Sequence, residues 1–473
     1  MSFPMISSRS WMRLSIVAGL MLGMIFTLSP LMVCALIAAA ALLRHAGRGL
    51  PEIEWRVLTT TFAIAFGLRL LAIGALAVLG AVRHADPSLG AILTGDEVYV
   101  LTRALRTRDI LLGVAVTKFD YFIAFDEYGR NSYLSVLTWL QVIFGPTPYA
   151  MRVLNAVIFT TGGVLIFRAA RRAFGWAPAY VALFITLFYP TLFVWSMTLL
   201  KEPLYLLGTS LVFVSAIGVL GHHPRHVRAW SALGIVAGFT IIAGLRPGAV
   251  VLAASGIAVA IGLREMTRSA ARLAIAAALL FIVAGAVVIL PALKLRLIAA
   301  LETTAKQHAG HVFTIGHPYK TLDEGFYVTP QTPASSSLTL TPDQAARYVV
   351  RSLVGLVVIP VPWQIATPRE LAYLPEQFVW YTMVLLAPFG VVAGWRRDAL
   401  VTALLVGAVV PTAVALALTS GNIGTMLRLR GVMVPYLAVL TAVGGCEVLE
   451  TLASRRRAFD LGGSTAGLEG IRP

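Results

Sequence analysis

Two adjacent carboxylates, Asp96 and Glu97, follow a strongly apolar stretch of the chain, in the segment 93–99 (LTGDEVY). A carboxylate at a partly desolvated site can act as a general base on a hydroxyl, because burial and nearby charge tune its pKa. Asp96 and Glu97 are therefore candidate catalytic residues. The alternative is structural, since an acidic residue ahead of an apolar run is a common start signal for a helix.

A second charged pair, Lys201 and Glu202, stands at the end of another apolar run. A lysine at the end of an apolar run can bind phosphate as a point charge. The neighbouring carboxylate can pair with the lysine or bind a sugar hydroxyl or a metal ion. The alternative is an interfacial salt bridge that caps the turn and contributes little where it is exposed. We predict that both residues bind substrate.

Most basic residues of the chain fall in alternate loops between the apolar runs. Arg246, Arg428 and Arg430 are exceptions, because they stand in short segments of the other set of loops. Guanidinium groups bind phosphate oxygens bidentately, so a lipid monophosphate or diphosphate would account for three arginines at helix ends. Snorkelling toward lipid headgroups is the alternative. We predict that all three contact substrate.

Signs of a metal or nucleotide site are weaker. His308 and His311 are three residues apart and can share one helix face, but this spacing lacks a third fixed ligand, so no metal ligand is predicted. The sequence indicates no definite cofactor, and whether the protein uses a divalent cation stays open. A Walker-type phosphate loop and a dinucleotide fingerprint are both missing from the sequence, which disfavours a nucleotide-sugar enzyme with a cytoplasmic catalytic domain.

The composition places these residues in a membrane protein. Of the 473 residues, 58% are hydrophobic and 13% charged, against roughly a quarter charged in soluble domains, and the mean hydropathy is +0.82. Long runs rich in Leu, Ala and Val, without the alternation of barrel strands, predict spanning helices. The net charge is +16, and most of the basic residues lie in short gaps between these runs, which is the positive-inside pattern. Because this pattern accounts for the excess of basic residues, no nucleic-acid partner is predicted.

The fold class that follows is an all-α polytopic membrane protein, with about ten transmembrane helices and an N-terminal hydrophobic hairpin. Spans are predicted at 57–82, 149–170, 177–198, 203–221, 230–245, 248–263, 273–295, 378–394, 400–418 and 432–449. Arg69 lies near the middle of the first of these, where a charge is costly, and an ion pair is predicted for it. Alternate loops along the chain are rich in Lys and Arg, and the positive-inside rule predicts that these loops are cytoplasmic. Both long loops and all the candidate residues are therefore predicted to lie on the outer face.

The chain divides into five predicted regions. They are a hairpin and cytoplasmic linker at 1–55, broken at Ser29-Pro30; a helical core at 56–295 with a first outer loop at 83–148; a second outer loop at 296–376; the last spans at 377–452; and a flexible cytoplasmic tail at 453–473. Both outer loops are expected to hold short interfacial helices. In the second, residues 347–363 alternate apolar and basic residues and end in Trp363, which indicates a helix lying in the membrane interface.

Several short motifs between residues 56 and 202 occur in a defined order. They are 67–71 (GLRLL), 95–97 (GDE) followed by Tyr99 and Ala104, 131–140 (NSYLSVLTWL), 144–145 (FG), 149–156 (YAMRVLNA) and 171–175 (RRAFG). This order resembles the GT-C superfamily, the membrane glycosyltransferases of the protein mannosyltransferase-like and aminoarabinose-transferase-like kind, which use polyprenyl-phosphate-linked sugars. The resemblance implies that an acidic residue of the first outer loop is the base, which maps onto Asp96, with Glu97 beside it. Many relatives carry Pro-Pro where this chain has Asn131-Ser132.

The resemblance implies a multi-pass inner-membrane glycosyltransferase, a hexosyl- or pentosyltransferase of cell-envelope glycans whose active site faces the periplasm or exterior. It would transfer a sugar from a polyprenyl-phosphate donor to a lipid, glycan or protein acceptor, with membrane lipids as its surroundings. One alternative is a polysaccharide polymerase or ligase acting on undecaprenyl-diphosphate glycans, which would depend more on the arginines than on Asp96. Another is a lipid or glycan transporter (flippase), which would need broken helices and polar residues near mid-membrane.

Overall fold

A computed structural model of the chain describes residues 29–82, 95–127, 130–246, 248–314, 317–327, 339–364, 371 and 373–466, together with six scattered positions between 12 and 23. Most of the first half of the predicted hairpin therefore lies outside the described residues, as do Leu93, Thr94 and Pro247. The described chain is helical, and its β-type pairing is limited to an isolated antiparallel bridge between Pro318 and Asn422.

The described part of the chain contains 18 α-helices. In chain order they are α1 Pro30–Ala46, α2 Glu52–Val82, α3 Gly95–Leu111, α4 Lys118–Phe125, α5 Ser132–Phe144, α6 Pro148–Phe174, α7 Trp176–Phe188, α8 Pro190–Ser196, α9 Glu202–Leu220, α10 Arg225–Leu245, α11 Ala249–Met266, α12 Ala270–Ile289, α13 Pro291–Val312, α14 Pro342–Val358, α15 Leu374–Arg397, α16 Ala399–Thr419, α17 Ile423–Arg430 and α18 Val434–Ala466. Two short 3₁₀ turns, Glu324–Phe326 and Pro362–Gln364, lie in the second long loop.

Among the described residues, nine helices are long and apolar enough to cross a membrane, or ten if a bent pair counts as one span. The protein is thus an all-α polytopic membrane protein, as predicted. The nine are α2, α6, α9, α10, α11, α12, α15, α16 and α18. Helix α1 begins with Pro30, at the predicted break of the N-terminal hairpin, because proline fits the first helical position.

The single span predicted at 177–198 is wrong in one respect: it is broken. Helices α7 and α8 meet at an angle of 64°, and Tyr189 between them has an extended backbone with φ −60° and ψ 123°. The next residue, Pro190, has no amide hydrogen and its ring collides with the preceding turn, which ends the helix. The break was visible in the sequence as a proline inside an apolar run.

Two other predicted boundaries shift for local reasons. The span predicted at 273–295 ends at Ile289, since Pro291 starts the separate helix α13 with a charged face of its own. The tail predicted to be flexible from 453 is helical as far as Ala466, where α18 ends.

Three of the spanning helices are covered little by the rest of the protein. The buried share of the spanning window is 11% in α10, 17% in α11 and 6% in α12, against 78% in α6. Large apolar side chains such as Phe281 of α12 are exposed. Contiguous apolar exposure of this kind is unfavourable in water and favourable in lipid, so these helices present their side chains to the bilayer.

The chain forms two compact units. The first comprises Met1–Val164, Leu192–Leu211 and Ala237–Ala249, and the second comprises Leu165–Thr191, Val212–Val236 and Val250–Pro473. In the first unit, α3 lies against α4 and α5; in the second, α15 runs along α18, which also contacts α7.

The close approach of α15 and α18 depends on two glycines. A Cβ atom at Gly390 would overlap the carbonyl oxygen of Leu440, and one at Gly444 would overlap the carbonyl oxygen of Leu386. Small residues at such crossings let helix backbones touch, which is how helices associate in membranes where the hydrophobic effect between them is weak.

Gly390→Ala is expected to destabilise the protein by about 1–3 kcal/mol, because the added methyl group forces the two backbones apart. Gly262 of α11, where a Cβ would meet nothing within 4 Å, provides the control. Alanine there should be neutral or stabilising, since alanine favours helix over glycine. Thermal unfolding of both variants in the same detergent measures the difference, and equal stabilities would show that the crossing tolerates a methyl group.

Candidate functional site

The first turn of α3 separates the two predicted catalytic carboxylates. Asp96 is exposed and Glu97 is fully buried, because successive side chains on a helix point about 100° apart. Helix α3 begins at Gly95, so both residues lie inside its first turn, where the helix dipole favours negative charge. Of these two residues, Asp96 is the one whose side chain lies at the surface of the protein.

Glu97 is the centre of a buried network in the first unit. Its Oε1 atom accepts hydrogen bonds from Nε of Arg152, at 2.8 Å, and from the backbone N–H of Leu199, at 2.9 Å. The side chains of this ion pair are 1% and 0% exposed, and Oε2 of Glu97 and both Nη atoms of Arg152 have no hydrogen-bond partner among the described residues. Neither carboxylate oxygen of Glu97 is accessible in this arrangement, and the catalytic role predicted for Glu97 stays a prediction.

Asn155, one helical turn after Arg152 on α6, holds the same loop from another side. Its Nδ2 atom lies 2.7 Å from the carbonyl oxygen of Thr198, 3.2 Å from that of Leu200 and 2.7 Å from the hydroxyl of Tyr133. The loop that joins α8 to α9 is therefore fixed by a carboxylate on its amide and by a side-chain amide on its carbonyls. This loop leads directly to Lys201.

Three of the predicted substrate-binding residues come together in the first unit. Nζ of Lys201 lies 3.4 Å from the carbonyl oxygen of Leu245, at the end of α10. Nη2 of Arg246 lies 3.3 Å from Oε1 of Glu202 at the start of α9, and its guanidinium covers the ring of Tyr205 at 5.7 Å. Glu202 is buried and Arg246 is partly exposed, so the arginine is the more accessible member of the pair.

Arg430, which was predicted to bind phosphate, is a buried structural cation of the second unit. Its guanidinium donates to Oε1 of Gln377 at 2.9 Å, to the carbonyl oxygen of Ile359 at 2.5 Å and to that of Leu356, and lies 4.6 Å from the ring of Trp380. It is 0% exposed, so a phosphate would have to displace these partners. Burial lowers the pKa of Arg430 to about 10, which leaves it charged at neutral pH.

Arg428, two residues earlier on α17, is partly exposed. It belongs to the second unit, as Arg430 does. The structure thus gathers Lys201, Glu202 and Arg246 with the network of Glu97, and the substrate contact predicted for Arg428 stays a prediction.

Arg69 is buried in α2, and the contacts described for it are with a hydroxyl, a carbonyl and two aromatic rings. It donates to Oγ of Ser196 at 2.7 Å and to the carbonyl oxygen of Ala65 at 2.9 Å, and lies 4.6 Å from the ring of Phe193 and 5.8 Å from that of Phe159. Hydroxyl, carbonyl and aromatic partners all stabilise a cation in an apolar medium. The predicted ion pair of Arg69 stays a prediction.

The sequence interpretation missed the importance of three residues. Arg152 and Asn155 were quoted only as part of the motif 149–156, and no role was predicted for them. Two polar residues three apart at the start of an apolar span are themselves a signal of a site that faces the protein interior. Glu376 was missed altogether. Its carboxylate accepts from the backbone N–H of Thr191, at 2.9 Å, and from its hydroxyl, at 2.6 Å, in the first turn of α8.

His308 and His311, whose spacing was too weak to predict a metal site, have separate partners in the second unit. His308 is fully buried with Nε2 3.1 Å from Oγ1 of Thr321, and Nδ1 of His311 lies 2.7 Å from the carbonyl oxygen of Thr419. Within the described ranges, no group of three or more His, Cys, Asp or Glu side chains is arranged to hold a metal ion.

Acidification is expected to destabilise the second unit through His308. Burial lowers its pKa from 6.5 to about 4, so below pH 6.5 the unfolded chain binds a proton that the folded chain does not. Stability is full above pH 6.5 and declines toward pH 4, by roughly 3 kcal/mol in all. The loss in melting temperature between pH 7.5 and pH 5 should shrink in His308→Gln and persist in the control His311→Gln; identical losses in His308→Gln and wild type would contradict this.

The described site is a network in the first unit that links an exposed carboxylate, a buried ion pair and the charged ends of two helices. Its composition is compatible with binding a phosphate and a hydroxyl. No protein-family model, curated protein or solved structure matches the chain, so the resemblance to the GT-C superfamily stays a prediction from the motifs.

Proposed function

We propose that the protein is a membrane glycosyltransferase of the GT-C kind that transfers a sugar from a polyprenyl-phosphate donor to a lipid, glycan or protein acceptor on the outer face of the inner membrane. The observation that supports this most is the bond from the backbone N–H of Leu199 to Glu97. It ties the helical turn that carries the exposed Asp96 to the loop that ends in Lys201 and Glu202. An accessible carboxylate and the cations proposed to bind phosphate thus belong to one connected network.

In the proposed reaction, Asp96 takes the proton of the acceptor hydroxyl while the hydroxyl oxygen forms a bond to the anomeric carbon. The bond from that carbon to the phosphate oxygen breaks, and polyprenyl phosphate leaves with the electron pair. Lys201 and Arg246 stabilise the negative charge that grows on the phosphate. Attack from the face opposite the phosphate inverts the anomeric centre. Glu97 and Asn155 position the loop between α8 and α9. Whether a divalent cation takes part in the reaction stays open.

A lipid-glycan transporter is the second candidate, because the structure contains a broken span. Transporters place unwound helix ends and buried polar groups at their substrate sites. The 64° bend between α7 and α8 and the contact of the buried Arg69 with Ser196 fit that description. The polymerase or ligase alternative is weakened by the burial of Arg430, one of the arginines on which it would depend.

Purified protein in proteoliposomes, supplied with radiolabelled polyprenyl-phosphate hexose or aminopentose and a bacterial envelope extract as acceptor, tests the proposal. We expect label to move from the donor to the acceptor fraction. Movement of intact donor across the bilayer, detected by its accessibility to an impermeant oxidant and without transfer, would favour the transporter. Elongation of a polyprenyl-diphosphate glycan without use of the monophosphate donor would favour the polymerase.

A further inference from the structure

An apolar groove runs along the second unit, and we call it the α15 groove. Its walls are formed by α15, α16 and α18 and by the end of α14, and its volume is about 280 Å³. On α15 it extends from Trp380 to Val391, which corresponds to roughly 16 Å of helix. The described residues that line it are all apolar.

Prolines in both long walls account for the groove. Pro388 stands inside α15 and Pro411 inside α16, and a proline there removes a backbone hydrogen bond and bends the helix. Near the turn that joins these helices they touch, since a Cβ atom at Gly394 would come within 2.7 Å of Oγ1 of Thr402. The two helices are therefore in contact at one end and separated by the groove farther along.

Trp380, at one end of the α15 groove, is held on two sides. Its Nε1 atom donates to the carbonyl oxygen of Val357 at 3.1 Å, and the guanidinium of Arg430 lies 4.6 Å from its ring. The side chain is 2% exposed. Because the indole N–H already has an acceptor, the ring offers the groove an apolar surface. The groove is thus a preformed site, as binding sites for small ligands usually are.

The α15 groove opens toward the part of the surface that faces lipid. Val410 lines the groove and is 46% exposed. Leu385 and Phe389, on α15 beside the groove, are 69% and 52% exposed. Both long walls are spanning helices, with 33% of the spanning window buried in α15 and 39% in α16. An apolar cavity offers water no hydrogen-bond partner, so the occupant must come from the hydrocarbon of the membrane.

We propose that the α15 groove binds one acyl chain of a bilayer phospholipid. One leaflet of the hydrocarbon core is about 15 Å thick, which matches the length of the groove. A cavity of about 150 Å³ accepts benzene, so this groove accepts roughly a dozen carbon atoms, enough for most of one acyl chain and too few for two. A polyprenyl chain is several times longer and would leave most of its length outside.

A bound chain is expected to stabilise the second unit, whatever reaction the protein performs. Helices in a bilayer associate through close van der Waals packing, and atoms that face a gap lose those contacts. An acyl chain in the α15 groove restores the contacts for three spanning helices at once. A ligand that binds the folded protein alone raises its stability by mass action.

Ala413→Phe tests the proposal, because Ala413 lines the groove and the added ring occupies it. Val414→Phe is the matched control, since Val414 is the next residue of α16, is 40% exposed and is not among the residues that line the groove. Native mass spectrometry of the full-length protein, titrated with phosphatidylglycerol in detergent, counts the bound lipids. We expect wild type and Val414→Phe to retain one phospholipid, and Ala413→Phe to bind it about tenfold more weakly or worse.

Val384→Phe fills the groove from α15, so the test survives if Ala413→Phe misfolds, which gel filtration detects. Phosphatidylglycerol should raise the melting temperature of wild type more than that of either filled variant. Equal retention of phospholipid by all four proteins would overturn the proposal. Retention of added polyprenyl phosphate in preference to phosphatidylglycerol, or a wild-type dimer that the filled variants lose, would assign the groove to another occupant and overturn it as well.

Discussion

Asp96→Asn is expected to lower the rate of sugar transfer by about 10²–10⁴-fold, the range that a general base contributes. The side chain is exposed, and substitutions at exposed positions usually change stability little, so the melting temperature should stay nearly unchanged. The initial rate of label transfer at saturating donor in proteoliposomes is the measurement. Asp96→Glu, which keeps a carboxylate at slightly longer reach, should recover part of the rate.

Asp109→Asn is the matched control. Asp109 lies on the same helix as Asp96, is partly exposed, and forms an ion pair with Arg108 at 2.8 Å. We expect it to transfer sugar at the wild-type rate. Full activity in Asp96→Asn would remove the base assignment even if the protein proved to be a glycosyltransferase.

Glu97→Gln is expected to destabilise the first unit by about 3–5 kcal/mol, because it leaves the guanidinium of Arg152 buried without its carboxylate. Arg152→Met should cost a similar amount by stranding the carboxylate of Glu97. The double variant removes both charges, so its loss should be smaller than the sum of the single losses. Denaturant unfolding of the four proteins in one detergent gives this coupling energy.

Strictly additive losses would mean that Glu97 and Arg152 do not stabilise each other, despite a separation of 2.8 Å. Thr107→Val on the same helix as Glu97 serves as a control. Its hydroxyl bonds only to the carbonyl of Arg103 one turn back among the contacts described for it, and its loss should be within about 1 kcal/mol.

The spans could be predicted from the sequence because length and hydropathy are local properties. The span predicted at 149–170 corresponds to α6 at Pro148–Phe174, and the one predicted at 400–418 corresponds to α16 at Ala399–Thr419. The break at Pro190 was missed because hydropathy is unchanged across it. A proline changes the backbone and leaves the apolar character of the run intact.

The arrangement of the candidate site could be predicted only in part. Lys201, Glu202 and Arg246 were identified from charge at helix ends, and they do come together. The pairing of Glu97 with Arg152 spans 55 residues, and no local pattern specifies which distant cation a carboxylate will meet. The burial of Arg430 was not predicted for a related reason: the rule that outer arginines need anionic partners overlooks backbone carbonyls, which satisfy a guanidinium without any charge.

The buried pair of Glu97 and Arg152 has a consequence for how the chain is inserted during synthesis. The charge of Arg152 makes it less favourable for α6 to partition into lipid. Its carboxylate partner, Glu97, lies 55 residues nearer the N-terminus and has already left the ribosome when α6 emerges. The charge can therefore be neutralised as α6 leaves the translocation channel. The amide of Leu199 arrives last and completes the coordination of Glu97, so the order of translation matches the order in which this network can assemble.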